Sequence, residues 1–259
     1  MIFLAFRFSA FLKIVFHSPL IYFIMEKNLD EILKIKKNDV ISITGSGGKT
    51  SLMFYLANIL KKKGSVLITT STKIKVPEKD QVDELFLSFD DYIKKDFKNK
   101  IVGIGQKLDG VNKLKSIGEN NLKTIKKDFD YIIIEADGCR NLPLKFWKEY
   151  EPVIYDFTDK LVGIFSIKVY GKEISPDFIY NFDEFRENIK SDIVDEEVFE
   201  KLIKSGIFGD FCGEKFIFFN QADSIFEKNQ AKGVISYLRE KINLKYFYGS
   251  ILKEKYYEN

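Results

Sequence analysis

Val40-Ile41-Ser42-Ile43-Thr44-Gly45-Ser46-Gly47-Gly48-Lys49-Thr50 joins an apolar strand (Val40 to Thr44) to a helix (Ser51 to Lys62) through a glycine-rich turn, and this decides the fold. Three glycines in four positions let the backbone turn its N–H groups inward without Cβ clashes. The helix that follows directs its positive dipole end at an anion, and Lys49 adds a full charge. Gly45, Ser46, Gly47, Gly48 and Lys49 are therefore expected to hold phosphate, with the Thr50 hydroxyl on Mg²⁺. The full Walker A spacing would need glycine where Ile43 stands, so the loop is a shortened form. The same short form, Thr-Gly-x-x-Gly-Lys-Thr, is similar to the loop of the Mur ligases, which implies ligase-type ATP chemistry as an alternative to hydrolysis.

Working outward, Ser65 to Thr69 reads as a second buried strand running into the hydroxyls of Thr69-Thr70-Ser71-Thr72. At the end of a parallel strand these either face a ligand crevice or cap the next turn. Tyr131-Ile132-Ile133-Ile134 is a continuous apolar run, as expected of a strand buried on both faces, and it ends in Glu135-Ala136-Asp137-Gly138. Strand alternation puts Glu135 and Asp137 on one face. Glu135 is expected to hold Mg²⁺ with Thr50, and Asp137 to orient or activate the attacking group, so Lys49, Glu135 and Asp137 form the catalytic set. Lys145, in the loop-rich stretch around Trp147, is either a counter-charge for an anionic substrate or a solvated loop lysine.

Lys215 to Phe219 forms another apolar strand, followed by Asn220-Gln221-Ala222-Asp223. This resembles the Asn-Lys-x-Asp base-recognition element of GTP-binding proteins, in which Asp accepts from guanine N1 and N2 hydrogens and Asn supports base and loop. Gln221 stands where that element has lysine, so the base is GTP's or ATP's. The bland alternative makes Asn220 and Asp223 a strand-end turn and cap for a helix over Ser224 to Asn243. Leu244 to Tyr248, with Gly249-Ser250, gives a last strand and turn placed near the base. Elsewhere, Asp80 to Lys98 reads as a helix with loops, Ile101 to Ile104 and Leu161 to Ile167 as strands, and Asp183 to Ile203 as mostly helical.

The 259 residues, 45% of them hydrophobic, suit one large domain with a packed core. With 41 basic against 38 acidic residues the net charge of +3 lacks the basic excess of a dedicated nucleic-acid binder, and no nucleic-acid partner is expected. Two cysteines, Cys139 and Cys212, make neither a zinc site nor a disulfide framework, which favours a reducing cytoplasm. Residues 1–24 are apolar yet interrupted by Arg7, Lys13 and His17, which argues against a membrane span and suggests a start placed ahead of Met25. The division is an N-terminal extension over 1–24 and one phosphate-loop nucleotide-binding domain over 25–259. Strands alternating with helices imply a three-layer α/β fold with a mainly parallel sheet.

In order, Ile43 to Thr50, Leu67 to Ile74, Ile134 to Gly138, Leu142 to Lys145, Glu151 to Ile154 and Asn220 to Asp223 resemble the YqeC family, accessory proteins of selenium-dependent molybdenum hydroxylases. The resemblance runs from about Asp39 to Ser250. It implies a cytoplasmic nucleoside-triphosphate-binding protein acting in maturation or insertion of a selenium-containing cofactor, with a molybdenum hydroxylase or its cofactor-assembly proteins as partner. Cys139 departs from the small polar residue expected there; it is either a small turn residue or a soft ligand for sulfur or selenium.

Overall fold

The computed structural model describes residues 28–258, so the apolar stretch over 1–24 lies outside the described residues. A nine-stranded sheet forms the frame. In chain order its strands are β1 (Val40–Gly45), β2 (Val66–Thr70), β3 (Glu84–Phe86), β4 (Ile101–Ile104), β5 (Tyr131–Glu135), β6 (Lys160–Ser166), β7 (Glu214–Asn220), β8 (Lys245–Ser250) and β9 (Lys255–Glu258). Across the sheet they lie in the order β9-β8-β7-β6-β1-β5-β2-β4-β3. Every pairing is parallel except that of β9 with β8.

The helices are α1 (Leu29–Ile32), α2 (Lys49–Leu60), α3 (Glu119–Ile125), α4 (Phe182–Asn188), α5 (Glu196–Ser205) and α6 (Ile225–Lys241). Alternation along the central strands sends side chains into cores on both faces, which is why these strands read as unbroken apolar runs. Ile41, Ile43, Ile133 and Ile68 pack with Leu52, Met53, Leu56 and Leu60 of α2. Val40, Ile132, Ile134 and Leu67 turn the other way onto Leu122 and Ile125 of α3. Leu161, Phe165, Ile217 and Phe219 meet Phe199 and Leu202 of α5 and Val234 and Leu238 of α6. The result is the three-layer α/β arrangement with a mainly parallel sheet.

Two elements differ from expectation. Asp80 to Lys98 contains no helix; its ordered part is the short edge strand β3, held beside β4 and by ion pairs from Glu84 to Lys95 and Lys100. Asp183 to Ile203 is mostly helical as expected, in α4 and α5 with irregular chain between them. Strand β9 turns back antiparallel on β8, contributing Tyr256 to the α2-side core.

From β1 the chain moves to one side of the sheet, through β2 to β5, then crosses to the other side at β6. The order therefore reverses between β1 and β6, and ligand crevices in open parallel sheets lie at the carboxyl ends of strands flanking such a switch. The glycine turn after β1 occupies that place.

Candidate nucleotide site

The loop owes its path to its glycines. Gly45, Gly47 and Gly48 have φ of 103°, 98° and 125°, a region closed to most side chains. A Cβ on Gly45 would lie 2.3 Å from the Ile164 carbonyl oxygen, and one on Gly47 would lie 2.4 Å from the Ser166 nitrogen. The turn is thus pressed against the end of β6, with Ser46 N donating to the Ile164 carbonyl at 2.9 Å. Helix α2 opens at Lys49, and the N–H groups of its first turn have no partner within the helix. Ser46 Oγ is buried and without a hydrogen-bond partner. An orphaned hydroxyl and a glycine-lined turn at a helix start are the features a phosphate would complete.

Beneath this turn lies a set of buried charges. Lys49 is 3% exposed; its Nζ donates to the Gly45 carbonyl at 2.5 Å, lies 3.3 Å from Asp137 Oδ1, and lies 3.3 Å from Cys139 Sγ. Asp137, fully buried, accepts from Gly45 N at 3.1 Å, Thr44 Oγ1 at 3.0 Å and Trp147 Nε1 at 2.7 Å. Lys145, also without exposure, pairs with Asp137 at 3.1 Å and Glu151 at 3.0 Å and donates to the Gly138 carbonyl at 2.8 Å. Thr50 Oγ1 donates to Glu135 Oε2 at 2.7 Å. Strand alternation has brought both carboxylates to the first turn of α2, Glu135 to Thr50 and Asp137 to Lys49.

The environments push the two carboxyls apart. Burial works against ionisation of Asp137, but Lys49, Lys145 and the Gly45 N–H outweigh it and hold the carboxyl below its ordinary range. At Glu135 burial prevails over Lys49 and Thr50, and the neighbouring Asp137 charge adds to it, so this carboxyl is raised. Burial also disfavours the Lys49 ammonium, yet Asp137, Glu135 and Cys139 more than compensate, and Lys49 is held charged.

For a metal, the donors are Thr50 and Glu135. Among the described residues no group of three or more His, Cys, Asp or Glu side chains could hold a metal ion. One carboxylate beside one hydroxyl fits Mg²⁺, which keeps most of its shell as water and phosphate oxygen.

Other expected residues take different places. Asn220 Nδ2 donates to the Gly47 carbonyl at 2.8 Å, tying the end of β7 to the glycine turn. Asp223 lies at the far side of that corner, where its Oδ1 accepts from Ser250 Oγ at 2.6 Å. The cap of α6 is Ser224, not Asp223. The hydroxyl run at the end of β2 ties it to neighbouring segments: Thr69 donates to the Ile104 carbonyl, Thr70 to that of Glu135 and Ser71 to that of Val153. Lys145 neutralises buried carboxylates instead of standing in solvent. Sequence reasoning missed the bond from Trp147 to Asp137 and gave Lys168 no role, although its Nζ lies 2.5 Å from Asp223 Oδ2. Both contacts join residues ten or more positions apart, and no local pattern marks them.

The helices of the described residues include none long and apolar enough to cross a membrane. A family model described as YqeC protein matches residues 41–183, more than half of the chain. The match takes in the glycine turn, both strand-end carboxylates, Lys145 and Trp147; Asn220 and Asp223 lie beyond it. "Uncharacterized protein YqeC" of Escherichia coli (strain K12) is 30% identical over 166 residues, covering 58% of this chain and 60% of the relative. The chain thus spans about three fifths of the length of the curated relative it matches. With the family model covering the loop and both carboxylates, the chain belongs to the YqeC family.

Proposed function

We propose that this chain binds a nucleoside triphosphate, GTP or ATP, with Mg²⁺, and acts as an accessory protein in maturation or insertion of the selenium-containing cofactor of molybdenum hydroxylases. The observation that carries the binding reading is the pairing of Lys49 with Asp137 and of Thr50 with Glu135 beneath a glycine turn. The cofactor role rests on the family resemblance, and the partner it implies is a molybdenum hydroxylase or one of its assembly proteins.

In this reading the turn 45–48 and the first N–H groups of α2 bind phosphate, and Lys49 turns its ammonium from the Gly45 carbonyl toward phosphate oxygens. Mg²⁺, held by Thr50 and Glu135, supplies neutralisation of charge on the terminal phosphates. Asp137, expected to orient or activate the attacking group, is given a positioning part in this reading. Its oxygens accept from the loop backbone, Thr44, Trp147 and Lys145, so it is a positioning residue that fixes the turn and Lys49.

A second reading, an ATP-dependent ligase or kinase acting on a small molecule, is favoured by one feature. A cleft of about 630 Å³ opens beside the carboxyl end of β4, lined among others by Asp90, Lys107, Asp109, Lys115, Ser116 and Asn121, roomy and polar enough for a small polar molecule. Turnover that requires a small molecule supports that reading; turnover that requires a protein supports the accessory role.

Calorimetric titration of Mg²⁺-GTP and Mg²⁺-ATP into wild type, Lys49→Ala and Thr50→Val tests the binding itself. Tight binding by wild type, lost in Lys49→Ala and made independent of Mg²⁺ in Thr50→Val, is expected. Unchanged affinity in Lys49→Ala, with circular dichroism confirming a folded variant, sinks the phosphate-loop assignment.

A further inference from the structure

The carboxyl ends of β7 and β8 meet at a corner built around one carboxylate. Asn220 spans it, donating to the Gly47 carbonyl while its Oδ1 accepts from Ile251 N at 3.2 Å. These two bonds set the phosphate loop and the turn after β8 at a fixed separation. Both partners bond to one carboxamide, so the loop at Gly47 and the turn at Ile251 stand side by side at this corner.

Asp223 faces that turn. Its Oδ1 accepts from Ser250 Oγ at 2.6 Å, and its Oδ2 pairs with Lys168 Nζ at 2.5 Å. The pair is open to solvent, the Asp223 side chain 20% and the Lys168 side chain 47% exposed. Within three residues of Asp223 or Ser250, the apolar side chains of Ile225, Phe226 and Leu252 stand in water at 73%, 67% and 85% exposure. A flat heterocycle packed here would remove apolar surface from water, at the one corner already tied to the phosphate loop.

We propose that Asp223, held by Ser250 and Lys168, selects guanine, and that Lys168 supplies the cation which Gln221 does not. The inference rests on the triphosphate-binding reading above and narrows it to GTP. An ionised carboxylate only accepts hydrogen bonds. The pairing edge of guanine offers two adjacent donors, N1–H and the N2 amine, whereas that of adenine sets the N1 acceptor beside the N6 amine. With adenine, one carboxylate lone pair would face another lone pair, a mismatch that a desolvated site penalises.

Gln221 is not available over a base. Its backbone has φ of 66°, and its Oε1 accepts from Ser166 Oγ at the end of β6. Lys168, two residues beyond Ser166 in the short turn Ile167–Val169, reaches Asp223 instead. Burial disfavours ionisation of Asp223, but Lys168 and Ser250 outweigh it and lower the carboxyl below its ordinary range. The acceptor state the base needs is therefore maintained.

The test is calorimetry on the full chain with Mg²⁺ and GTP, ATP or xanthosine triphosphate, using wild type, Asp223→Asn and Lys168→Gln. Wild type should bind GTP about tenfold or more tighter than ATP. Asp223→Asn should lose GTP affinity and gain affinity for xanthosine triphosphate, because the new amide can donate to the xanthine 2-carbonyl. Lys168→Gln should reduce the GTP-to-ATP ratio several-fold with ATP affinity unchanged. Equal or tighter binding of ATP, or no gain of xanthosine triphosphate in Asp223→Asn, overturns the inference while the triphosphate reading stands. An unaltered ratio in Lys168→Gln overturns the part given to Lys168. Absence of binding to any triphosphate would overturn both readings together.

Discussion

The two corners proposed here for phosphate and for base, called the phosphate corner and the base corner, lie at the same end of one sheet and are built on opposite terms. At the phosphate corner Lys49, Lys145, Glu135 and Asp137 are all buried, and the two lysines are locked to carboxylates. At the base corner Asp223 and Lys168 are partly exposed, and their neighbours Ile225, Phe226 and Leu252 stand in water. Buried charges are costly unless paired, so the first corner exists only as part of the folded core. The second can change its side chains at little cost to folding, because water replaces lost partners. Substitutions at the phosphate corner should therefore move stability and binding together, and those at the base corner should move specificity alone.

The largest effect tests that coupling. Asp137→Asn keeps the shape and an acceptor for Gly45 or Trp147 but removes the charge facing Lys49 and Lys145. Breaking a buried pair in this way costs about 3 kcal/mol. A matching fall in stability by urea unfolding, with loss of triphosphate binding, is expected. A variant within about 0.5 kcal/mol of wild type, the range of ordinary surface changes, would break the comparison. The sign with pH follows: the depressed Asp137 carboxyl contributes stability above its unfolded value and loses it as pH falls through its lower folded value.

Glu135 behaves in the opposite sense. Its folded pKa is raised, so the folded chain takes up this proton before the unfolded chain does. Ionised Glu135 thus costs stability at neutral pH, and protonation relieves that cost as pH falls. Mg²⁺ requires the ionised form. Mg²⁺-dependent tightening of nucleotide binding should accordingly fade as pH falls, in a window that opens above the ordinary glutamate range. Titrating Mg²⁺ into protein and nucleotide across that window, with Glu135→Gln alongside, checks it. The same pH profile in both proteins would remove Glu135 from the metal site.

The strands that build the sites were legible because both their faces are buried. Val40 to Thr44, Tyr131 to Ile134 and Lys215 to Phe219 read as apolar runs followed by polar residues, and those ends carry the loop, the carboxylates and Asn220. Where only partial burial shapes a strand, the reading failed. Glu84–Phe86 is half-buried at the sheet edge, and the charges around it imitate a helical surface until Lys95 and Lys100 are seen to pair with Glu84. Lys145 shows the same limit at the level of one side chain. A lysine in a loop reads as solvated, and only the fold brings Asp137, Gly138 and Glu151 around it.

The smallest effect separates helix stability from base reading. Ser224 caps α6 one residue after Asp223, accepting from Phe226 N at 3.2 Å while its own N donates to Glu227 Oε2 at 2.7 Å. Ser224→Ala removes the side-chain half of this capping box at a cost of about 1 kcal/mol. Asp223, however, is also fixed from outside the helix, by Ser250 on its side chain and by Lys253 Nζ donating to its carbonyl at 2.6 Å. The variant should therefore unfold at slightly lower urea while keeping the wild-type ratio of GTP to ATP affinity. A changed ratio would mean that α6, and not the turn after β8, holds Asp223 in place, and the base corner would then share the coupling to folding that marks the phosphate corner.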